Sequence, residues 1–285
     1  MTAPGERAFI ALQRALPQHG LSRFVGYLAR SRSPWVRTPF IRLFARAYGV
    51  DLTEAAARSL ADFDTFNDFF TRALKPGARP LAGDERTVIC PADGALSQAG
   101  AIRSGQLLQA KGHTYALEAL LGGDAGFLTA RSFEGGSFAT IYLAPRDYHR
   151  VHLPAAGRLR ATRTVPGELF SVNATTENHI DGLFARNERL VCHFETDHGD
   201  MVVVLVGAMI VAGIHTTWTG PKSPYEALET TRYDRLPFAR GAEIGRFLLA
   251  STVIVCLPPG PLALASGLKP GSRVKMGQAL FRPTS

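Results

Sequence analysis

The sequence predicts an α+β protein in which short amphipathic N-terminal helices precede a mainly antiparallel β core. Two observations support this class. Apolar residues recur at helical spacing in the first part of the chain, whereas beyond Pro76 short β-rich runs alternate with Gly/Pro turns. The hydrophobic content of 46% is enough for a sizeable core, and the 28 glycines and 18 prolines indicate a turn-rich body.

Three short helices are predicted over residues 6–16, 21–32 and 35–49, because Pro and Gly residues punctuate the chain between them. The second and third carry apolar stripes flanked by arginines, as does a helix that lies on a membrane surface or one that packs on a domain. A fourth helix is predicted to begin after Thr65, with Thr65 as its N-cap and Asp68 three residues on.

Short strands account for most of the remaining chain, and their spacing is typical of an antiparallel β body. They are predicted over residues 87–90, 95–102, 106–110, 137–143, 158–165, 189–195, 201–206, 208–215, 252–257 and 278–282. A boundary at residues 73–80 divides the chain into a helical region, 1–75, and a β-rich domain, 76–285.

The net charge of +8 is distributed unevenly. Residues 1–50 contain eight arginines, no lysine and one acid, Glu6, so this segment alone carries +7. Such a field favours an anionic surface, either lipid or nucleic acid, and the apolar stripes on the same helices favour lipid. The alternative is an ordinary solvated helical face.

Several classes of site are disfavoured. Cys90, Cys192 and Cys256 are far apart, which predicts buried free thiols in a reducing compartment and neither a disulfide framework nor a zinc site. No apolar signal segment is recognised, and the longest apolar run, residues 201–214, is too short to span a bilayer. The chain has no HExxH, GxSxG, P-loop or GxGxxG motif.

Candidate catalytic residues come from three segments. Ser251 precedes a β-branched run, Asp93 lies in a Pro-Ala-Asp-Gly turn, and His149 and His152 flank Arg-Val. An oriented histidine can deprotonate a serine hydroxyl, and a carboxylate can hold that histidine in the right tautomer. The alternatives are an ordinary turn aspartate and a pair of core or surface histidines. In an extended segment the two histidines would lie on opposite faces and so have different roles.

The motifs around these residues, taken in order, resemble the phosphatidylserine decarboxylases of the bacterial and mitochondrial type. The resemblance is carried by Phe66–Phe70 and by residues 88–94, 108–113, 142–152, 166–173, 183–189 and 276–278. It implies a proenzyme whose serine attacks the preceding carbonyl, turning the peptide into an ester. A β-elimination then leaves a pyruvoyl group at the new N-terminus.

By this resemblance Ser251 is the nucleophile, oriented by Asp93 and His152, and cleavage between Ala250 and Ser251 gives a β chain, 1–250, and an α chain, 251–285. The pyruvoyl ketone derived from Ser251 would form a Schiff base with the amine of phosphatidylserine and act as an electron sink for decarboxylation. His149 would donate the proton that completes phosphatidylethanolamine. No metal and no separately bound cofactor are implied.

The resemblance also implies a peripheral protein at the cytoplasmic face of the bacterial inner membrane. Its partners would be phosphatidylserine in an anionic membrane and its own two cleaved chains, with no nucleic acid. A homodimer is compatible with this interpretation.

One position departs from the family pattern, which usually has Gly before the serine where this chain has Ala250. Alanine costs roughly 1 kcal/mol or more at positive φ but almost nothing in an extended conformation. Two alternatives therefore accompany the decarboxylase hypothesis. One is an unprocessed, inactive homologue that binds anionic lipid, and the other is a triad serine hydrolase that keeps Ser251.

Overall fold

The structure, a computed structural model, describes most of the chain. The described residues are 5–6, 11, 13, 17–109, 112–123, 126–209, 213–222, 224–248 and 251–284. Most of the first predicted helix, 6–16, lies outside them, although residues 6, 11 and 13 are helical. Ala250, on which the prediction about backbone strain falls, also lies outside the described residues.

Helices dominate the described N-terminal part, as predicted. Helices α1, Gln18–Ala29, and α2, Pro34–Tyr48, agree within three residues with the predicted second and third helices. The short helix α3, Phe66–Phe70, is capped by Thr65, whose hydroxyl accepts the backbone N–H of Asp68 at 3.1 Å. Three further short helices lie within the β-rich part and were not predicted. They are α4, Leu117–Leu121; α5, Ala174–Glu177; and α6, Leu183–Arg186.

Aromatic packing joins α2 to α3. Phe66 and Phe70 of α3 are buried, and Phe40 of α2 stacks on Phe66 with ring centroids 4.1 Å apart. Phe44 meets Phe66 edge to face at 5.0 Å. We call Phe40, Phe44, Phe66, Phe69 and Phe70 the phenylalanine cluster; it anchors the N-terminal helices to the segment that leads into the β core.

Seventeen strands are described, and all pairings between them are antiparallel. In chain order, β1 to β17 are Val88–Ile89, Gly94–Ala101, Gln106–Leu108, Thr114–Ala116, Ser137–Leu143, Arg150–His152, Gly157–Val165, Arg189–Thr196, Gly199–Val206, Ile214–Thr216, Gly220–Lys222, Glu229–Phe238, Glu243–Phe247, Ser251–Leu257, Leu262–Leu264, Arg273–Val274 and Ala279–Pro283. The main sheet has eight strands in the order β12-β7-β8-β9-β14-β5-β2-β16. A four-stranded sheet, β11-β10-β13-β6, carries the segment of the two candidate histidines.

The centre of the main sheet is buried on both faces. On β14, Val253 and Val255 belong to one hydrophobic core, whereas Ile254 and Cys256 belong to the core on the opposite face. Because both faces of the sheet are buried here, the sequence of the strand is a continuous apolar run without apolar–polar alternation. Ser251, the first residue of β14, pairs with Leu143 of β5, and the pairing of β14 with β9 begins one residue later, at Thr252.

Some predicted elements need correction. The strand predicted over 208–215 is wrong in its first part: Ala208 and Met209 lie outside any strand, residues 210–212 are not described, and β10 begins at Ile214. The longest strand, β12, was missed because it forms a sheet edge and its side chains are mostly exposed and polar, so it has no apolar alternation.

The three cysteines are free and buried, as predicted. Burial raises the pKa of Cys90 and of Cys256 to about 12, so these thiols are poor nucleophiles. Within the described part of the chain no helix is long and apolar enough to cross a membrane.

Replacing Phe66 tests the phenylalanine cluster. We expect Phe66→Ala to destabilise the protein by about 3–5 kcal/mol, because a fully buried ring leaves a cavity between α2 and α3. Phe24→Ala is the matched control, since Phe24 is 61% exposed, and should change stability by less than about 0.5 kcal/mol. Urea unfolding measures both, and equal losses would contradict this packing.

Candidate active site

Ser251 stands at the start of the central strand β14, opposite Leu143 at the end of β5. Its side chain is fully buried. The strand pairs on both sides, with β5 and with β9, so the position of the hydroxyl is set by two ladders of backbone hydrogen bonds.

His149 is the histidine that meets Ser251. Its Nε2–H donates to the Ala144 carbonyl oxygen at 3.0 Å, so the lone pair of this neutral imidazole is on Nδ1. The Ser251 hydroxyl lies 3.4 Å from that Nδ1 and can donate to it. Phe70 stacks on the imidazole with centroids 4.0 Å apart. The ring is thus fixed by a carbonyl on one edge and an aromatic face on one side.

Burial, with a smaller contribution from the nearby Arg72 guanidinium, lowers the pKa of His149 to about 3. His149 is therefore neutral at physiological pH and can accept a proton from Ser251, although as a weak base.

His152 follows His149 by three residues and is the last residue of β6. Its Nδ1–H donates to the Gly241 carbonyl oxygen at 2.8 Å, and its Nε2 accepts the Tyr148 hydroxyl at 2.9 Å. Burial lowers the pKa of His152. Both ring nitrogens are therefore occupied by groups other than Ser251.

Asp93 closes the turn before β2 and is held by a cation. Its two oxygens accept hydrogen bonds from Nε of Arg79, at 2.9 and 3.2 Å, and from Nη2 of the same side chain, and Oδ1 also accepts the Met276 backbone N–H at 2.8 Å. Arg79 in turn donates to Glu54 at 2.7 Å. This network ties the helical region, the turn at Asp93 and the C-terminal segment together.

The predicted contacts are only partly those observed. We predicted that His152 would face Ser251 and that Asp93 would hold His152; in this structure His149 faces Ser251, and Asp93 is bonded to Arg79. The physical reason is that Tyr148 satisfies His152 and a buried guanidinium satisfies Asp93. The two histidines have different partners, Ser251 and Phe70 for His149 and Tyr148 and Gly241 for His152, whereas their placement on opposite faces of an extended segment stays a prediction. The roles assigned to Asp93, His152, His149 and Ser251 remain predictions.

Comparison with known proteins decides the family. The family model described as phosphatidylserine decarboxylase matches residues 66–282, and a second, described as PSD, matches residues 8–49. The chain belongs to the phosphatidylserine decarboxylase family. Relatives named phosphatidylserine decarboxylase proenzyme include one from Alcanivorax borkumensis, 54% identical over 95% of this chain and 94% of the relative. Others come from Pseudomonas aeruginosa PAO1, 54% identical, and Methylococcus capsulatus, 50% identical, each covering 98% of both chains.

Membership of the decarboxylase family confirms the resemblance seen in the sequence. The structure adds three site residues to which the sequence analysis gave no role. Tyr148, Phe70 and Arg79 contact the predicted residues directly. Tyr148 and Phe70 lie within segments that carry the resemblance, so the sequence pointed to their segments but did not indicate what these two side chains do. Arg79 lay in the segment interpreted as a boundary, and only the folded chain brings it to Asp93. Among the described residues no group of His, Cys, Asp and Glu is arranged to hold a metal.

The pH dependence of self-cleavage tests the neutral histidines. We expect no inflection near about pH 6.5, the ordinary pKa of histidine, because both His149 and His152 have lowered pKa values. The free energy of unfolding should depend on pH as well. The contribution of these histidines is present in full above about pH 6.5 and is lost as the pH falls towards 3, because the unfolded chain binds protons that the folded chain excludes.

Cleavage time courses, with urea midpoints at each pH as the control for folding, measure both effects. A cleavage rate that halves near pH 6.5 while the urea midpoint stays constant would contradict the pKa assignments.

Proposed function

We propose that this chain decarboxylates phosphatidylserine to phosphatidylethanolamine, using a pyruvoyl group that it makes from Ser251 after cleavage between residues 250 and 251. The observation that carries the proposal is the Ser251 hydroxyl 3.4 Å from Nδ1 of a neutral His149. Family membership over nearly the whole chain supports the same activity. The product would be an aminophospholipid for membrane synthesis.

The surroundings of residue 251 fit such a group. A carbonyl formed there would stand at the start of β14, buried and beside His149, and it would supply the electron sink for loss of carbon dioxide. Nδ1 of His149 is the nitrogen that can accept a proton and then pass it on, because Nε2 is committed to Ala144. This position supports the role of proton donor that the family resemblance assigns to His149.

Maturation is proposed to need Asp93 and His152 as well as Ser251. The support for these two is the family resemblance and their position: the His152 backbone N–H donates to the Pro91 carbonyl at 2.8 Å, so the two segments are adjacent. For His152 to act on Ser251, its bond to Tyr148 must be exchanged during cleavage.

The serine hydrolase alternative is less well supported. A hydrolase must admit a substrate carbonyl to the serine hydroxyl, and Ser251 is fully buried in the intact chain. A self-cleaving serine has no such requirement, because the carbonyl it attacks precedes it in the same chain.

We also propose that the N-terminal helices hold the protein on an anionic membrane. Five large apolar side chains of α1 and α2 are exposed: Phe24 (61%), Tyr27 (71%), Trp35 (90%), Leu43 (70%) and Tyr48 (47%). The arginines at 23, 30, 32, 42 and 46 are exposed beside them. Phe40 and Phe44, on the apolar stripe of the third predicted helix, pack within the phenylalanine cluster and so take no part in the proposed membrane contact.

Variants at the predicted triad test the proposed chemistry. Wild type should yield chains of residues 1–250 and 251–285 on a denaturing gel, and Ser251→Ala should stay intact because no nucleophile remains. Ala250→Gly should cleave at the same site, as fast or faster. Efficient cleavage of Ser251→Ala would overturn the assignment, and an intact wild type that binds anionic lipid would favour the inactive homologue.

The same assays should give different results for variants of the two histidines. His152→Ala should remain uncleaved, whereas His149→Ala should cleave but lose about 10²–10⁴-fold in decarboxylation, as removal of a general acid typically does. Uncleaved His149→Ala beside cleaved His152→Ala would show that the base is the histidine that contacts Ser251 in this structure.

Vesicle flotation tests the membrane proposal. Point variants are preferable to deletion of residues 1–50, because deletion would uncover Phe66. Trp35→Ser combined with Leu43→Ser should weaken binding to anionic vesicles roughly tenfold or more, since burial of a large apolar side chain contributes about 1.5–3 kcal/mol. High salt should reduce wild-type binding without abolishing it.

Leu228→Ser, at a residue that is 50% exposed near the start of β12, is the control for lost apolar surface. Equal loss in the control, or full binding by the double variant, would place the membrane contact elsewhere.

A further inference from the structure

A charged cavity of about 360 Å³ lies beside the candidate active site, and we call it the arginine cavity. Its wall includes Asp93 and Tyr148, so it borders both the turn at Asp93 and the hydroxyl that binds His152. Five cationic and four anionic side chains line it. They are Arg72, Arg79, Arg146, Arg273 and Lys275, and Asp51, Glu54, Asp93 and Asp147.

Most of these charges are paired within the wall. Arg79 binds Glu54 and Asp93, Lys275 binds Glu54 at 2.9 Å, and Arg273 binds Asp147. Among the residues that the structure describes, neither Arg72 nor Arg146 has a carboxylate within ion-pair distance. The wall therefore carries one more cation than anions, and Asp147, Asp93 and Asp51 act on Arg72 only from beyond ion-pair distance.

Arg72 is the more unusual of the two, because it is only 5% exposed. Its Nη2 donates to the carbonyl oxygens of Arg146 and Asp147 at 2.7 and 3.1 Å, while its Nη1 has no hydrogen-bond partner in the described chain. A buried charge with an unsatisfied donor is costly, and a bound anion is the group that would compensate it.

The position of Arg72 relates this charge to the reaction centre. It follows Phe70, which stacks on His149, by two residues, and its charge helps to lower the pKa of His149. An anion bound at Arg72 would thus lie in a cavity that borders the segment of both histidines.

The headgroup of phosphatidylserine offers two anions, a phosphodiester and a carboxylate. The carboxylate loses its charge as carbon dioxide leaves, so a guanidinium bound to it would stabilise the ground state more than the transition state. The phosphodiester keeps its charge throughout, and a guanidinium can bind its oxygens with two parallel hydrogen bonds.

We propose that Arg72 and Arg146 form a subsite for the phosphodiester of the lipid headgroup. The identity of the ligand rests on the proposed function. Both arginines precede residue 251 in the sequence, so the subsite does not require cleavage at that position. It can therefore be tested whether or not the chain decarboxylates lipid.

Binding is measured on the uncleaved Ser251→Ala chain, in which no pyruvoyl group can trap an amine. The probes are sn-glycero-3-phosphoethanolamine, which has the phosphodiester alone, serine, which has the carboxylate alone, and inorganic phosphate. We expect the phosphodiester to bind, and Arg72→Gln to weaken it about tenfold or more, as loss of a charged hydrogen bond does. Arg146→Gln should weaken it as well.

Arg103→Gln, at an exposed arginine outside the cavity, removes the same charge and should leave the affinity unchanged. If Arg72→Gln does not fold, Arg146→Gln decides. Arg146 binds Arg72 through its backbone carbonyl, which the substitution leaves in place. In the processed enzyme Arg146→Gln should raise KM for phosphatidylserine with kcat nearly unchanged, as loss of uniform binding does.

Three outcomes would overturn the subsite. The first is undiminished phosphodiester binding in both arginine variants, and the second is that these variants lose affinity for serine and not for the phosphodiester. The third is that the chain binds inorganic phosphate alone. Normal phosphodiester binding by a wild-type chain that fails to decarboxylate would instead overturn the proposed function and leave the subsite standing.

Discussion

The contact between the Ser251 hydroxyl and Nδ1 of His149 is the interaction on which the rest of this site depends. It requires a neutral imidazole with its hydrogen on Nε2, which the Ala144 carbonyl enforces. It also requires a ring that cannot turn, and Phe70 stacks on that ring. Burial then keeps the imidazole unprotonated, so the contact persists across physiological pH.

This arrangement makes the N-terminal helices part of the site. Phe70 ends helix α3, and the phenylalanine cluster holds α3 against α2. Of the exposed apolar residues proposed to enter the membrane, Trp35, Leu43 and Tyr48 lie on α2, and Phe24 and Tyr27 lie on α1. If these residues enter the membrane as proposed, the phenylalanine cluster would connect α2, through α3 and Phe70, to the imidazole of His149. Arg79 and Arg150 add polar links across the predicted boundary, to Glu54 and to the Thr71 carbonyl.

Much of this could be predicted from the sequence. The strand over 137–143 and the start of β14 at Ser251 follow from β-branched runs bounded by turns, and the cap at Thr65 follows from local hydrogen bonding. Strand β12 could not, because an exposed edge strand lacks the pattern that burial imposes. The pairing of Asp93 with Arg79, and of His152 with Tyr148, was also out of reach, since choice among polar partners depends on tertiary packing. The family resemblance named the residues without fixing which of them touch.

The most direct test of the account is reductive trapping at residue 251. The purified protein is incubated with phosphatidylserine vesicles and cyanoborohydride, and the peptide that begins at residue 251 is analysed by mass spectrometry. The account predicts a free chain 251–285 whose first residue carries the headgroup amine through a reduced carbon–nitrogen bond. An intact chain, or a cleaved chain whose first residue is an unmodified serine, would contradict it.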